Sequence, residues 1–284
     1  MNKPITFQQI QASAAYLKKQ IKLSPKVAIV LGSGLGEAVI ESIQNQKKIT
    51  YKTIPHFPIS TVQGHTGQLI AGYLNSVPVV ILQGRWHYYE GYSLSEITFP
   101  IRVLKELGIK ILILTCAAGG LNPKHEPGDL MLFTDHINLI GDNPLVGMNA
   151  PEFGPRFPDM SEAYHIPLIR LAEQVAKKLK MKLFKGVYTA VAGPNYETNA
   201  ELRWLRSIGT DAIGMSTVPE SIVANQIGLK VLAFAAITDA WHGKYSQPLS
   251  HTEVIKVANQ ISNRLSKLII ALLNNVKFQN PNAK

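Results

Sequence analysis

Short apolar segments alternate with helix-like segments along this chain, and this alternation restricts the possible folds more than any other feature. The apolar segments are bounded by glycine, proline or polar residues and span residues 26–31, 77–82, 110–115, 186–191 and 230–237. Runs of this length are typical of buried strands in a largely parallel sheet. Apolar residues at helical spacing occupy residues 95–107, 163–179, 198–207, 219–227 and 250–273. The alternation predicts an α/β fold with a mixed, largely parallel central sheet flanked by helices.

We expect residues 1–275 to form a single domain, because no linker, repeat or low-complexity segment interrupts the pattern. Thr6 is a suitable cap for a first helix, in which helical spacing relates Phe7, Ile10, Ala14, Leu17 and Ile21. Residues 141–164 are rich in proline, glycine and asparagine and are predicted to form a long loop, which in a compact domain is usually functional. The tail at 276–284 is expected to be disordered.

Composition narrows the classes of protein to which the chain can belong. Of its 284 residues 46% are hydrophobic, and the formal net charge is +10. No apolar run approaches the roughly 18 residues of a membrane span, and the first residues lack a signal-peptide pattern. The one cysteine, Cys116, fits a reducing compartment. These features together predict a cytoplasmic protein that does not bind a membrane. The lysines are scattered over predicted helix faces, so we expect the positive charge to attract anionic substrates and not nucleic acid.

A glycine-rich loop, "GSGLG", follows the first predicted strand and raises the question of a phosphate site. The dinucleotide fingerprint needs a third glycine at the position of Glu37, and a P-loop needs a following Gly-Lys-Ser/Thr. Both motifs are therefore unsupported. Ser33, between Gly32 and Gly34, remains a candidate hydroxyl donor, and the loop is either a plain strand-to-helix turn or a site for another anion.

Polar residues follow several of the predicted strands at the edge where ligands of α/β sheets usually bind. Arg85, His87, Ser33 and Ser216, together with the backbone N–H groups of "CAAGG", could surround a free phosphate with donors. Glu90 could keep His87 protonated. Each residue alone also has a purely structural interpretation. No HxxxH or CxxC spacing indicates a catalytic metal, and no GxSxG motif indicates a serine hydrolase.

Eight sequence blocks in order give the chain a clear family resemblance. They are "GSGLG", "STVQGHTGQL", "QGRWHYYEGY", "AAGGLNP", "PGDLMLFTDHINL", "RFPDMSEAY", "VAGPNYET" and "IGMSTVPE". The chain resembles the trimeric purine nucleoside phosphorylases from its first helix to about Leu273. The resemblance implies the nucleoside phosphorylase fold, a homotrimer, and no cofactor beyond inorganic phosphate as a cosubstrate. It also implies phosphate-dependent cleavage of purine (deoxy)ribonucleosides to the free base and (deoxy)ribose 1-phosphate, in purine salvage.

The resemblance also implies roles for individual residues. Phosphate is expected at Ser33, His65, Arg85, His87, the backbone of Ala117, and Ser216. Ribose is expected near Tyr89 and Met215, with His251 at the 5′-hydroxyl and Phe157 reaching in from the neighbouring subunit. The base is expected at Ala118, Tyr196, Glu197, Thr238 and Asp239. Among these residues and their neighbours, the catalytic roles are expected for His87, Glu90, Glu197 and Asp239.

Three positions depart from the family pattern. Cys116 replaces the usual asparagine, where only backbone donors are needed, and Tyr196 stands where phenylalanine is common. Asp239 matters more, because family members that act on 6-oxopurines carry asparagine there. An ionised aspartate cannot donate to a 6-oxo group but can accept from a 6-amino group. The related methylthioadenosine phosphorylases also have Thr-Asp at this position.

The base preference therefore has an alternative, that of a methylthioadenosine- or adenosine-preferring phosphorylase of the same fold. Two residues argue against full membership of that group. The segment "GPNYET" keeps Glu197, and His251 suits a 5′-hydroxyl better than a methylthio group. Three further alternatives are a dinucleotide-dependent oxidoreductase, a nucleosidase that uses water, and a non-catalytic purine-binding protein.

Overall fold

The computed structural model describes residues 5–59, 66–148, 150–244 and 250–276. The helices are α1 (Phe7–Ile21), α2 (Glu37–Glu41), α3 (Leu94–Glu106), α4 (Ile166–Lys178), α5 (Asn199–Ser207), α6 (Val218–Gln226) and α7 (His251–Asn275). The strands are β1 (Val27–Leu31), β2 (Gln44–Thr50), β3 (Gln68–Leu74), β4 (Val77–Gln83), β5 (Ile111–Gly120), β6 (Leu130–Leu139), β7 (Phe184–Val191), β8 (Ala212–Gly214) and β9 (Lys230–Ala240). All predicted helices and strands are confirmed, although β5 continues well past its predicted end at Thr115.

The strands form one mixed sheet in the order β2-β3-β4-β1-β5-β8-β7-β6-β9. Because β5 also pairs with β9, the strands β5, β8, β7, β6 and β9 close into a ring, and the remaining strands extend outward from β5. Among the strand pairs of the described residues, five are parallel and four are antiparallel. The expected mixed α/β sheet is confirmed.

Apolar burial on both faces of the central strands holds the sheet together. Every residue of β1 is buried, as expected for a parallel strand covered on both faces. Helix α1 starts at the predicted Thr6 cap and buries Ile10 and Leu17 completely. Each such side chain contributes roughly 1.5–3 kcal/mol to stability. One connected core includes β1, β5 and β9 and extends to the inner faces of α1 and α7.

The sheet topology brings several strand ends to one edge. β1 is parallel to β4 and β5, and β5 is parallel to β9, so the carboxyl ends of all four strands emerge together. β8 runs antiparallel to β5, with Ile213 opposite Gly119, and this pairing brings the segment around Gly214 to the same edge. Polar loops that are distant in sequence therefore converge there. In the described ranges, no helix combines the length and apolar composition of a membrane span.

Candidate active site

A pocket opens at the edge of the sheet where these strands end. Its lining contains most of the residues predicted from the sequence: Ser33, Arg85, His87, Tyr89, Ala117, Ala118, Tyr196, Glu197, Met215, Ser216, Thr238 and Asp239. They come from the loops after β1, β4 and β7, from the ends of β5 and β9, and from the turn between β8 and α6. The topology thus gathers into one cavity residues that lie more than 200 positions apart in sequence.

The glycine-rich loop lies at one end of the pocket, and its glycines serve close packing. A Cβ on Gly32 would lie 2.9 Å from both the Cα of Cys116 and the carbonyl oxygen of Thr115. Gly34 has φ +72°, and a Cβ there would lie 2.8 Å from the Cβ of Ala258 in α7. The N–H of Gly32 donates to Thr115 Oγ1 at 3.1 Å. The loop therefore presents Ser33 to the pocket through tight contacts with β5 and α7.

Arg85 is 2% exposed and is held by two neighbouring elements. Its NH1 donates to the carbonyl oxygen of Thr115 in β5 at 2.7 Å and to Ser216 Oγ at 3.3 Å. Its Nε donates to Glu220 Oε1 at 3.0 Å, within a buried ion pair. Glu220 lies in the first turn of α6 and was missed by the sequence reasoning. The sequence did contain a signal for it, because Glu220 is an acidic residue four positions after Ser216 in a segment otherwise rich in apolar residues.

The turn that leads into α6 is strained. Thr217 has φ +71° and ψ −44°, and the N–H of Val218 donates to the carbonyl oxygen of Ser216 at 2.8 Å. This is a γ-turn with positive φ at its centre, which is rare, and more so for a β-branched residue. Strain of this kind costs on the order of 1–3 kcal/mol and persists where the surroundings enforce it. It sets the position of Ser216 relative to α6.

His87 and Glu90 form a second buried pair beside Arg85. Glu90 Oε1 accepts from the backbone N–H of His87 at 2.8 Å and contacts the ring Nδ1 at 2.9 Å. Burial lowers the pKa of His87, and the hydrogen bond and charge of Glu90 offset only part of that effect. The expectation that Glu90 keeps His87 protonated is therefore wrong, because desolvation dominates. The Tyr89 ring stacks on His87 at 4.7 Å, and burial raises the pKa of Tyr89 to about 12.

The other end of the pocket is acidic. Thr238 Oγ1 donates to Asp239 Oδ1 at 3.1 Å and contacts the carbonyl oxygen of Ala118 at 3.3 Å. Burial, and secondarily the charge of Asp239, raises the pKa of Glu197. The same two causes raise the pKa of Tyr196, whose side chain is 40% exposed at the pocket rim. The carboxyl groups of Glu197 and Asp239 thus interact with each other and line the same part of the pocket. There they can accept hydrogen bonds from a ligand.

Of the predicted residues that the structure describes, Glu90 and Phe157 do not line this pocket. Glu90 lies behind His87 and acts on it through the contacts above. Phe157 is 86% exposed and lies in a separate surface depression with Met148 and Met160. His65 and the side chain of His251 lie outside the described residues. Across the described ranges, no three His, Cys, Asp or Glu side chains converge in a way that could bind a metal ion.

Comparisons with known proteins agree with this architecture. The family model for the phosphorylase superfamily matches residues 26–274. Purine nucleoside phosphorylase 1 of Bacillus subtilis is 52% identical over 265 residues, which cover 93% of this chain and 97% of the relative.

Two solved structures from Schistosoma mansoni also superpose closely on this chain. Isoform 2 of its purine nucleoside phosphorylase, in complex with cytosine and ribose-1-phosphate, has a TM-score of 0.91 at 39% identity and covers 96% of this chain and 98% of that one. A purine nucleoside phosphorylase in complex with adenosine has a TM-score of 0.91 at 37% identity and covers 96% and 99%. The chain belongs to the phosphorylase superfamily, among its purine nucleoside phosphorylases.

Proposed function

We propose that the protein cleaves the N-glycosidic bond of purine nucleosides with inorganic phosphate, giving the free base and ribose 1-phosphate. The observation that carries this proposal is the separation, within one pocket, of hydrogen-bond donors from carboxyl groups. Arg85 contacts Thr115 of β5 and the hydroxyl of Ser216, whereas Asp239 pairs with Gly119, four residues further along β5, and its charge acts on Glu197. A nucleoside between a phosphate and two carboxyl groups fits this arrangement. The ligands named for the two Schistosoma mansoni structures, ribose-1-phosphate and adenosine, support it.

In this proposal the donor-rich end holds the phosphate. Arg85 supplies a charged fork, and Ser33, Ser216 and the backbone of Ala117 supply neutral donors. His65, outside the described residues, would complete this set. The lowered pKa of His87 favours its neutral form. A bound dianion would raise that pKa, so we expect phosphate binding to be accompanied by proton uptake.

The reaction then depends on charge complementarity and positioning. As the C1′–N9 bond lengthens, the sugar gains positive charge and the purine gains negative charge. Phosphate stabilises the sugar cation and captures C1′, and protonated or polar groups at the base end stabilise the leaving purine. Tyr89 and Met215 pack against the ribose, and the His251 side chain would bind its 5′-hydroxyl. The reaction as proposed uses phosphate as a cosubstrate and requires no other cofactor.

Phosphate dependence is the direct test. Cleavage of inosine or adenosine should require phosphate and yield ribose 1-phosphate. Full activity in phosphate-free buffer would indicate a nucleosidase, and base binding without any sugar product would indicate a binding protein.

Arg85→Ala should raise the KM for phosphate about ten- to a hundredfold, because it removes a charged contact worth roughly 1.5–3 kcal/mol. Arg203→Ala, an exposed arginine on α5 outside the pocket, is the control and should leave that KM unchanged. Thermal unfolding of the Arg85 variant must be measured in parallel, because the substitution leaves Glu220 buried without its partner. An Arg85→Ala enzyme that is folded and has an unchanged KM for phosphate would contradict the assignment.

An adenosine- or methylthioadenosine-preferring phosphorylase is the second candidate, and Asp239 is the observation that favours it. An ionised carboxylate at the base end accepts a hydrogen bond from a 6-amino group and repels a 6-oxo group. Glu197 favours the 6-oxopurines, because it accepts their N1–H whereas N1 of adenine is itself an acceptor. We therefore propose an enzyme that retains inosine and guanosine and also accepts adenosine.

We further propose a homotrimer in which Phe157 closes the pocket of a neighbouring subunit. Its exposed ring, beside the 76% exposed Val146, supports such a contact, since exposed apolar patches often mark interfaces. Light scattering should find an active trimer and an inactive monomer. Phe157→Ala should lower kcat/KM for nucleosides, whereas Leu179→Ala, at an exposed position after α4, should not. An active monomer at assay concentration would contradict the assembly.

We also propose a cytoplasmic location, on the grounds that the buried Cys116 has no disulfide partner in the sequence. Cell fractionation with the activity assay would test it, and activity confined to the membrane or extracellular fraction would contradict it.

A further inference from the structure

Glu220 is a buried carboxylate placed where an anion is proposed to bind. It is 3% exposed, and its Oε1 accepts from Arg85 Nε at 3.0 Å. Its Oε2 has no hydrogen-bond partner among the described residues. A negative charge beside a phosphate site opposes phosphate binding, and an unpartnered buried oxygen costs stability. The residue must therefore contribute something that outweighs both effects.

The geometry around Arg85 indicates what that contribution is. The contacts to Thr115 and Ser216 are both made by NH1, and Nε carries a single N–H, which Glu220 accepts. A guanidinium group is planar, so contacts at two different nitrogens fix the orientation of its plane. The bond from Nε to Glu220 therefore adds a second fixed nitrogen to the two contacts at NH1 and restricts the tilt of the plane.

Ser216 and Glu220 reach Arg85 from the same short segment. They lie four residues apart, on either side of the strained Thr217, at the start of α6. The backbone strain at Thr217 therefore sets the distance between the two acceptors that this segment offers to Arg85. Because backbone strain of this kind is usually retained where function needs it, the strained Thr217 indicates that the placement of Ser216 and Glu220 around Arg85 is functional.

We propose that Glu220 is a positioning residue that orients the Arg85 guanidinium plane for phosphate, and that it acts through its geometry rather than its charge. The inference rests on the proposed phosphorylase function. It assigns to the first turn of α6 a role in phosphate affinity, although Glu220 itself does not line the pocket.

Two substitutions separate geometry from charge. Glu220→Gln removes the charge but keeps an acceptor oxygen at the same reach, and its new NH₂ group occupies the place of the unpartnered Oε2. Glu220→Asp keeps the charge but withdraws the carboxylate by one methylene, so that Arg85 must move to keep the bond. Glu220→Asp should raise the KM for phosphate at least about tenfold, and Glu220→Gln should stay within about threefold of the wild type. The nucleoside KM and the kcat at saturating phosphate should change little in either.

A matched control is available on the same helix. Gln226 Oε1 accepts from NH2 of the buried Arg102 at 2.9 Å, at the far end of α6 from the pocket. Gln226→Leu therefore removes another acceptor that α6 offers to a buried arginine. It should lower the unfolding temperature without changing the KM for phosphate. Phosphate-induced protection against thermal unfolding gives a readout independent of turnover, and Glu220→Asp should reduce it at a fixed phosphate concentration.

The possible results are decisive. If Glu220→Gln changes the KM for phosphate more than Glu220→Asp does, charge is the operative property and the inference is overturned. An unchanged KM in both variants, or an equal change in Gln226→Leu, would also overturn it. A wild-type enzyme that needs no phosphate would instead refute the proposed function, so the two failures are distinguishable.

Discussion

Replacing Asp239 by asparagine should make adenosine a poorer substrate relative to inosine. Asp239 lines the base end of the pocket with Glu197, and its Oδ1 accepts from Thr238 at 3.1 Å. An ionised aspartate accepts from a 6-amino group, and a protonated one can donate to N7 of either purine. Asparagine can donate to N7 and O6, which suits hypoxanthine and guanine. The substitution therefore exchanges an acceptor for a donor at the place where the two bases differ.

The magnitude follows from one exchanged hydrogen bond and one removed charge. A hydrogen bond to a charged group is worth roughly 1.5–3 kcal/mol, so the adenosine-to-inosine ratio of kcat/KM should fall at least about tenfold, or about 1.4 kcal/mol. A second effect acts on Glu197, whose pKa is raised by burial and secondarily by the charge of Asp239. Removing that charge lowers the pKa of Glu197 part of the way back, because burial remains. The acid limb of the inosine profile should therefore move to lower pH.

The assay is kcat/KM for both nucleosides at saturating phosphate, measured across acid and neutral pH. Asp129→Asn is the matched control, because it makes the same isosteric change in an ion pair outside the pocket, where Lys182 Nζ lies 3.2 Å from Asp129 Oδ1. It should leave the substrate ratio and the acid limb unchanged. An unchanged or increased adenosine-to-inosine ratio in Asp239→Asn would refute the reasoning, since Asp239 would then not distinguish the two bases.

Two further predictions concern the loop and the histidine. Gly34→Ala should destabilise the fold by about 2–4 kcal/mol in denaturant unfolding, because it adds a strained φ and a clash with Ala258. Gly36→Ala, with ordinary φ and its nearest atom at 3.5 Å, should be close to neutral, and equal effects would contradict the packing argument. Glu90→Gln should lower the pKa of His87 further, because the Glu90 carboxylate raises it; a rise seen by NMR titration would show that the contact acts differently.

Predictability from the sequence differs among the strands for physical reasons. Strands β1, β4, β5, β7 and β9 are buried enough to be recognised as apolar runs. The apolar segments of the sequence did not predict β2, β3, β6 or β8. Six of the seven residues of β2 are exposed, so it carries no core pattern. The second half of β6 is polar and partly exposed, and β8 has three residues. Their pairing is decided by tertiary contacts, which local patterns do not encode.

The site was predictable where chemistry coincides with a strand end. Arg85, His87, Ser33 and Ser216 were found because parallel strands bring their carboxyl ends together. Glu220 was missed because it acts through Arg85, and the pairing of residues 135 positions apart has no local signal. The direction of the His87 pKa was wrong because the sequence indicates a nearby carboxylate but not the depth of burial.

Several departures from local rules lie in or beside this pocket. Among non-glycine residues with positive φ in the described part of the chain, Thr217 is the one with a β-branched side chain. The buried Arg85–Glu220 pair and the interacting Glu197 and Asp239 lie in or beside the same cavity. Preorganised charges stabilise a transition state only if they are fixed before substrate arrives, and fixing them costs folding energy. The continuous apolar core that includes β1, β5 and β9 offsets that cost, and the parallel direction of these strands places the polar groups at their shared edge.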